Sequence, residues 1–478
     1  MKRILALLIA LMLLCGCGAQ QTQEPETIAP ETAEKTEQIA VTIPVEEDEG
    51  YDPYRCMSVF NRMALEWVYE PLFAVTPAGE AIPVLAESWS VSEDGLTTAV
   101  TIRSGIRLHS GAVLTAEDVV RSVRRAMNGS FYSGRFRLLS DMTAEGNTVL
   151  FQTEQAYECF PLLLDIPISG EIAEGETENG TGAYRMQGGR LVRFEDWRGA
   201  DSLPDAIGLS PVQSPQQLRD RFQYGAVTLA MQDPNGDQPL WFAGDFEAWD
   251  VPTSTLQFLG FNLQGGAFSN GGVRAAVTYA IDRSAIVAED MGGYGVPTVL
   301  TARPGTPWYD ASLADTVSYD PSRLKEAAPS GAQAVMIVCS ESAQRVASAN
   351  RIAEALTACG VSVTVRPLSK ADYGEALSAG AFDLYYGEIR LSPDLDLAPI
   401  LRSGYGGISA YSALSDLCDA ARANSGNAYD LQKTILTDGI LCPIAYKTAA
   451  VYGKRGLPIT VTPHLNGWLF ENPMEENQ

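Results

Sequence analysis

The sequence is poor in the residues and motifs on which most enzymes depend. Its 478 residues contain only two histidines, His109 and His464, so a histidine-based catalytic centre or a soft-metal site has little material. The patterns G-x-S-x-G, H-E-x-x-H and G-x-x-x-x-G-K-[ST] do not occur. We therefore predict that the protein is not an enzyme, has no metal site and needs no cofactor.

Positive charge and paired cysteines are also scarce. The 34 Lys and Arg residues face 59 Asp and Glu residues, and a net charge of −25 argues against nucleic acid as a partner. None of the eight cysteines stands in a C-x-x-C pair, which is the usual spacing of metal or redox sites. Two cysteines lie at the N-terminus, and we predict that the other six are mostly buried thiols, with a disulfide among them as the alternative. These six are Cys56, Cys159, Cys339, Cys359, Cys418 and Cys442.

The N-terminal apolar run is too short to span a membrane. Lys2-Arg3 is followed by eleven apolar residues from Ile4 to Leu14, about 16 Å of helix against a hydrocarbon core of about 30 Å. This pattern is typical of a secretory signal peptide, residues 1–16. Leu14-Cys15-Gly16-Cys17 resembles the lipobox of bacterial lipoproteins, which implies lipidation of Cys17 and an extracytoplasmic protein anchored to the cell membrane. An ordinary cleaved signal peptide with an incidental cysteine is the alternative.

The segment after Cys17 has the composition of a spacer. Residues 17–38 are rich in Glu, Gln, Thr and Pro, and they contain no apolar periodicity. Such a segment cannot bury enough apolar surface to offset the entropy of ordering. We predict a disordered acidic tether.

The remaining sequence alternates strand-like and helix-like segments. Glu87–Val91 and Thr97–Ile102 flank Glu93-Asp94-Gly95 and predict a β-hairpin, and Thr115 and Asp118 predict the start of a helix. We predict a helix over 272–288. Between 334 and 386 three strands alternate with two helices, which favours a parallel, doubly wound α/β domain.

Several blocks resemble one family, the extracellular solute-binding proteins of dipeptide and oligopeptide ABC importers, called family 5. The blocks follow one another in the family's order, which makes the resemblance specific. They are Tyr69-Glu70-Pro71-Leu72, the run from Pro83 to Trp89, Ser92–Leu96, the run from Ile102 to Val119, Gly180–Tyr184, Leu259–Asn262 and Val273–Arg283.

This resemblance implies a two-lobed, periplasmic-binding-protein-like α/β fold of type II, cluster C, with an inserted third domain and a two-strand hinge. It puts the two crossing strands near Thr255–Asn262 and Ile440–Tyr446. Domain I would combine residues 39–75, 165–256 and 446–478; domain II would be 76–164 and domain III 257–445.

The resemblance also implies a function and partners. The expected protein is a membrane-tethered monomer that captures short peptides by lobe closure and delivers them to the permease and ATPase subunits of an ABC importer. Binding of a nickel chelate or an oligosaccharide in the same fold is one alternative. An extracytoplasmic hydrolase and a peptide receptor without transport are others.

In peptide-binding members an acidic side chain of domain III receives the ammonium of the peptide, within a motif resembling W-x-x-D-Y-x-D-P. The equivalent stretch here departs from that motif, since Tyr386 replaces the tryptophan and no residue matches the first aspartate. Glu388, Asp394 and Asp396 are candidate amine anchors, and Arg390 is a further candidate contact. The glycine-rich loop Ser403–Tyr411 adds Tyr405 and Gly406, where a ring can stack and a ligand backbone can approach.

Overall fold

The computed structural model of the chain describes residues 40–172 and 178–469. The predicted signal peptide (1–16), Cys17 and the tether (17–38) lie outside the described residues. Within the described ranges, no helix is both long and apolar enough to cross a membrane.

The strands group into three main sheets and two short hairpins. Their bounds are β1 Val41–Val45, β2 Phe73–Val75, β3 Ala81–Pro83, β4 Ala86–Val91, β5 Thr97–Ile102, β6 Leu139–Glu145, β7 Thr148–Thr153, β8 Tyr184–Gln187, β9 Arg190–Arg193, β10 Ala206–Pro211, β11 Leu229–Gln232, β12 Phe246–Phe261, β13 Gly295–Pro297, β14 Gln333–Cys339, β15 Ser362–Leu368, β16 Leu384–Arg390, β17 Leu441–Lys454, β18 Thr462–His464 and β19 Gly467–Leu469.

The α-helices lie mainly in the second half of the chain. Their bounds are α1 Val59–Val68, α2 Ala116–Met127, α3 Pro215–Gln223, α4 Gly271–Ala280, α5 Arg283–Ala285, α6 Ala311–Ala314, α7 Ser322–Ala327, α8 Ala343–Ala358, α9 Lys370–Ala379, α10 Ala398–Leu401, α11 Ser412–Ala423 and α12 Ala428–Asp438. Short 3-10 turns and one π turn, Ile286–Asp290, join them.

The first sheet has the order β1-β10-β9-β8, with β1 parallel to β10. The second is antiparallel, with the order β4-β5-β7-β6, and it packs with α2 around one apolar core. The third has seven strands in the order β11-β17-β12-β16-β14-β15, and β13 pairs with β17. The predicted hairpin is the β4–β5 pair, and the predicted capping box of α2 joins Thr115 and Asp118 through reciprocal hydrogen bonds.

The predicted alternation of strands and helices is confirmed in the third sheet, from β14 through α8, β15 and α9 to β16. These three strands are parallel to one another. The prediction of a doubly wound parallel sheet is nevertheless wrong for the sheet as a whole, because β11, β12, β13 and β17 join it in antiparallel pairs. Strands far apart in sequence form these pairs, which local periodicity does not reveal.

Strands β12 and β17 belong to two cores at once. They pair with each other from Phe246 to Gly260, with a register shift between Pro252 and Leu256. On one side of this shift, Val251 and Val451 pack in the core around α1. On the other, Leu259 packs in the core around α8. This arrangement forms the two-strand hinge of a two-lobed fold, while the predicted domain boundaries stay a prediction.

One predicted helix is broken. The pattern from 272 to 288 suggests a single helix, but α4 ends at Ala280 and a new turn begins after Asp282, whose Oδ1 accepts a hydrogen bond of 3.0 Å from the Ala285 amide. The buried Arg283 side chain donates to the carbonyl of Pro443 at 2.8 Å. Tertiary hydrogen bonds thus override the helical pattern here. The six predicted thiols, all in the described ranges, are free, and only Cys159 is partly exposed.

Candidate functional site

A cavity opens where α1, the segment after α2 and the end of β16 meet. It holds about 80 Å³ of space accessible to water-sized molecules and opens to solvent. Its walls mix apolar, aromatic and charged side chains. They are Pro53, Arg62, Leu65, Glu66, Tyr69, Pro71, Phe131, Tyr132, Arg135, Asp165, Pro167, Arg390, His464, Leu465 and Asn466.

Local structure explains how its arginines reach the cavity. Helix α1 begins after Ser58, whose hydroxyl accepts from the Asn61 amide at 3.3 Å, and Arg62 follows in the first turn. Arg390 is the last residue of β16, paired with Thr255 of the hinge strand β12. Arg135 lies in the irregular segment between α2 and β6.

Two of these arginines are held by neighbours. The Arg62 guanidinium carbon lies 3.4 Å from the centroid of the Phe131 ring, and its Nη2 donates to the Tyr132 hydroxyl at 3.1 Å. Arg135 forms an ion pair and hydrogen bond with Asp165. Cation–π and ion-pair contacts therefore hold the side chains of Arg62 and Arg135 in place.

Arg390 is placed differently. Its guanidinium carbon lies 5.0 Å from the Phe131 centroid, and the side chain is open to the cavity. Loss of hydration between the cavity walls, together with the positive charges of Arg62 and Arg135, lowers the pKa of Arg390 to about 10. The group therefore keeps its charge at neutral pH but sits in an unfavourable field.

Among the other predicted site residues, Tyr386 and Glu388 belong to an internal polar network. Tyr386 is fully buried and donates to Gln257 Oε1 at 2.8 Å. Glu388 accepts from Gln257 Nε2 at 2.9 Å and pairs with Lys447 Nζ at 3.0 Å.

Lys447 also contacts Asp233. Burial alone would lower the pKa of Lys447, but Asp233 and Glu388 outweigh it and raise that pKa. Glu388, one predicted amine anchor, is thus already neutralised by a lysine of the protein itself.

Asp394 and Asp396 lie in a second network, which we call the buried ion cluster. It comprises Arg137, Asp394, Asp396, Asp419 and Arg422. Arg422, 4% exposed, contacts all three carboxylates. Arg137 adds contacts of 3.3 Å to Asp396 and Asp419.

Asp394 itself is sealed from solvent. Its carboxylate accepts hydrogen bonds from the hydroxyls of Tyr157 and Ser392. Burial raises the pKa of Asp394. Because Tyr157 follows β7 of the second sheet, these contacts join that sheet to the segment after β16.

Tyr405 and Gly406 lie at the far end of β16 from Arg390. The strand has seven residues, so about 20 Å separates its two ends. Gly406 has φ of +57°, and its carbonyl accepts from the Leu263 amide at 2.8 Å. A Cβ there would collide with the carbonyl of Phe261, so this glycine serves a close backbone approach. The Tyr405 ring lies 6.4 Å from that of Tyr385, edge to face.

The seven predicted residues therefore do not converge, and Arg390 alone among them lines the cavity. Sequence reasoning missed Arg62, Phe131, Tyr132, Arg135 and Asp165. The run from Phe131 to Arg137 offered a signal, since it combines aromatic residues with two arginines in a strongly acidic chain. A role in ligand binding stays a prediction for all seven residues.

The described ranges hold no group of three or more His, Cys, Asp or Glu residues placed to bind an ion. Both ring nitrogens of His109 already have partners, since Nδ1 contacts Glu178 at 2.8 Å and Nε2 contacts the Gly182 carbonyl at 2.9 Å.

Sequence comparison identifies relatives that match more than half of the chain. The profile of the bacterial extracellular solute-binding proteins, family 5, matches residues 80–405. The glutathione-binding protein GsiB of Salmonella typhi is 26% identical over 297 residues, which cover 58% of this chain and 58% of GsiB. GsiB of Escherichia coli K12 is 25% identical over the same length. The chain thus spans 58% of the length of these curated relatives.

Solved structures share the fold. The substrate-binding protein CtaP of Listeria monocytogenes superimposes with a TM-score of 0.72 at 20% identity, covering 87% of this chain and 93% of CtaP. DppA of Helicobacter pylori, solved with the peptide STSA, gives a TM-score of 0.62 at 18% identity, covering 90% and 98%. At these identities the likeness establishes the architecture alone.

Proposed function

Since this chain belongs to the bacterial extracellular solute-binding proteins of family 5, we propose that it captures a small solute, in the first place a short peptide, for an ABC importer. The observation that carries the proposal is the cavity between α1 and β16, which lies beside the hinge strand β12 and combines apolar with charged walls. The hinge strands β12 and β17 connect the two sides.

Capture follows from the energetics of two-lobed proteins. A solute that contacts both sides of the cavity binds the closed form more tightly than the open form, and so shifts the population toward closure. Apolar walls such as Leu65 and Leu465 supply desolvation, while polar groups fix orientation. The protein changes the location of the solute and leaves its bonds intact.

The proposed setting is extracytoplasmic. The lipobox-like sequence supports lipidation of Cys17, and the acidic segment 17–38 would serve as a tether between the lipid and the binding lobes. The closed protein would then deliver its solute to the permease and ATPase subunits.

The first test is a melting experiment on the full-length chain in mild detergent. The ligands are peptides of two to six residues, nickel with and without histidine, and oligosaccharides. A ligand at a hundredfold excess over Kd stabilises by about 2.7 kcal/mol, which corresponds to a shift of a few degrees in Tm. We expect a shift with peptides that mass spectrometry recovers uncleaved. A shift with nickel or sugar alone would reassign the solute, and cleavage would indicate a hydrolase.

The second test addresses the anchor. We expect Cys17→Ala to move the protein from the membrane fraction to the soluble fraction, because no diacylglycerol can be attached without the thiol. Cys15→Ala is the matched control, two residues away within the same segment. If Cys17→Ala stayed in the membrane fraction and Cys15→Ala left it, the lipidated residue would be Cys15.

A further inference from the structure

The cavity collects positive charge in a protein that is otherwise strongly acidic. Three arginines line it, Arg62, Arg135 and Arg390, although the whole chain carries a net charge of −25. They come from three separate parts of the chain, so the fold and not local composition brings them together. Such a concentration of guanidinium groups favours an anionic ligand.

The three arginines differ in how their donors are used. Arg62 rests on Phe131 and bonds Tyr132, and Arg135 is neutralised by Asp165. For Arg390, the described part of the chain supplies neither a hydrogen bond nor an ion pair, and the ring of Phe131 at 5.0 Å is its neighbour. A guanidinium has five N–H donors in a planar fork, and those of Arg390 remain available to a ligand.

The electrostatic field at Arg390 points the same way. Loss of hydration and the nearby charges of Arg62 and Arg135 lower the pKa of Arg390, while Asp165 opposes this shift and the side chain remains exposed to solvent. A bound anion would add to the compensation of this charge. The predicted amine anchors already have partners within the protein, because Glu388 forms an ion pair with Lys447, and Asp394 and Asp396 form ion pairs with Arg422.

We infer that Arg390 binds a carboxylate of the solute, and that the solute enters this cavity with its anionic end toward β16. For a peptide, this group is the C-terminal carboxylate. A free peptide always carries a C-terminal carboxylate, and two parallel N–H···O bonds from a guanidinium fork match the geometry of that group. The inference rests on the proposed function and reverses the expected polarity, in which an acid of the protein holds an ammonium.

The test uses the full-length chain in mild detergent and three random tripeptide libraries. One has free ends, one is N-acetylated and one is C-terminally amidated; succinate and inorganic phosphate serve as small anions. Apparent affinities come from melting shifts over a concentration series. Wild type is compared with Arg390→Gln and Arg390→Lys, and the matched control is Arg366→Gln, an exposed arginine on β15.

We expect the free and N-acetylated libraries to bind alike, and the amidated library to bind at least about tenfold more weakly. Arg390→Gln should weaken binding of the free library by about 10- to 100-fold and leave the amidated library unchanged. The affinity of Arg390→Lys for the free library should lie between those of wild type and Arg390→Gln, because lysine keeps the charge but lacks the planar fork of donors. Arg366→Gln should behave as wild type.

Equal binding of the free and amidated libraries by wild type would overturn the inference, as would an equal loss of both in Arg390→Gln. Tighter binding of phosphate than of succinate, dependent on Arg390, would overturn the assignment of a carboxylate. Binding of succinate but of no peptide, abolished in Arg390→Gln, would keep the inference and refute the peptide function. No response to any of these ligands would refute both.

Discussion

Two arginine-rich regions of this molecule differ in how their charges are balanced. In the buried ion cluster, Arg137 and Arg422 face the three carboxylates of Asp394, Asp396 and Asp419. In the cavity, three arginines face two acids, and the guanidinium of Arg390 has neither a hydrogen bond nor an ion pair within the described ranges.

The difference separates structural charge from binding charge. A buried carboxylate that already touches an arginine and two hydroxyls, as Asp394 does, cannot receive a ligand without breaking those contacts. A guanidinium that is open to a cavity and has no ion pair can bind a ligand without breaking an internal contact of this kind. Charged residues near a cleft should therefore be judged by their partners before they are judged by their type.

The largest effect is expected from a substitution that breaks the buried ion cluster. Arg422→Gln should lower the free energy of unfolding by about 3–5 kcal/mol, because it leaves buried carboxylates without their cation. Urea unfolding followed by circular dichroism measures this change. Arg366→Gln, on an exposed position, should change the free energy by less than about 0.5 kcal/mol. A loss in Arg422→Gln no larger than that of the control would mean that the cluster is not structural.

A smaller effect is expected on the pH dependence of stability. Burial raises the pKa of Asp394 in the folded state above its unfolded value of 3.8. The folded protein therefore holds a proton more tightly there, and this contribution to stability is lost as pH rises through the folded pKa. Compared with Asp394→Asn, wild type should gain stability as pH falls from 7 toward 4.

The measurement is the free energy of unfolding of both proteins at several pH values, and Asp416→Asn is the control, an exposed aspartate on α11. The control should follow wild type in parallel over the same range. If wild type lost stability relative to Asp394→Asn on acidification, the folded-state pKa of Asp394 would be lowered and the prediction would be wrong.

The smallest effect on stability is expected in the cavity, at Arg390. Without ligand, Arg390→Gln should leave the free energy of unfolding unchanged or raise it slightly, because it breaks neither a hydrogen bond nor an ion pair and removes a positive charge from the field of Arg62 and Arg135. The same urea experiment measures it beside Arg422→Gln. A loss of several kcal/mol would show that Arg390 supports the fold, and the contrast between the two regions would disappear.

Local signals in the sequence predicted much of the secondary structure. The hairpin β4–β5, the capping box at Thr115 and the alternation from β14 to β16 depend on residues close in sequence, and the structure confirms them. The antiparallel pairing of β12 with β17 joins segments almost two hundred residues apart, and periodicity carries no information about it. The break after Ala280 depends on buried hydrogen bonds of Arg283 and was likewise hidden.

The sequence by itself determined the family, through ordered motifs from Tyr69 to Arg283, and the chemistry available, with little histidine and a surplus of acid. Only the tertiary structure decided which charges are free. Glu388, Asp394, Asp396 and Arg390 look alike as surface-loop charges in the sequence, but Lys447, Arg422 and Tyr157, from distant segments, neutralise or bond the three acids. The physical reason is that a charge becomes available to a ligand by lacking an internal partner, and partners are assigned by folding.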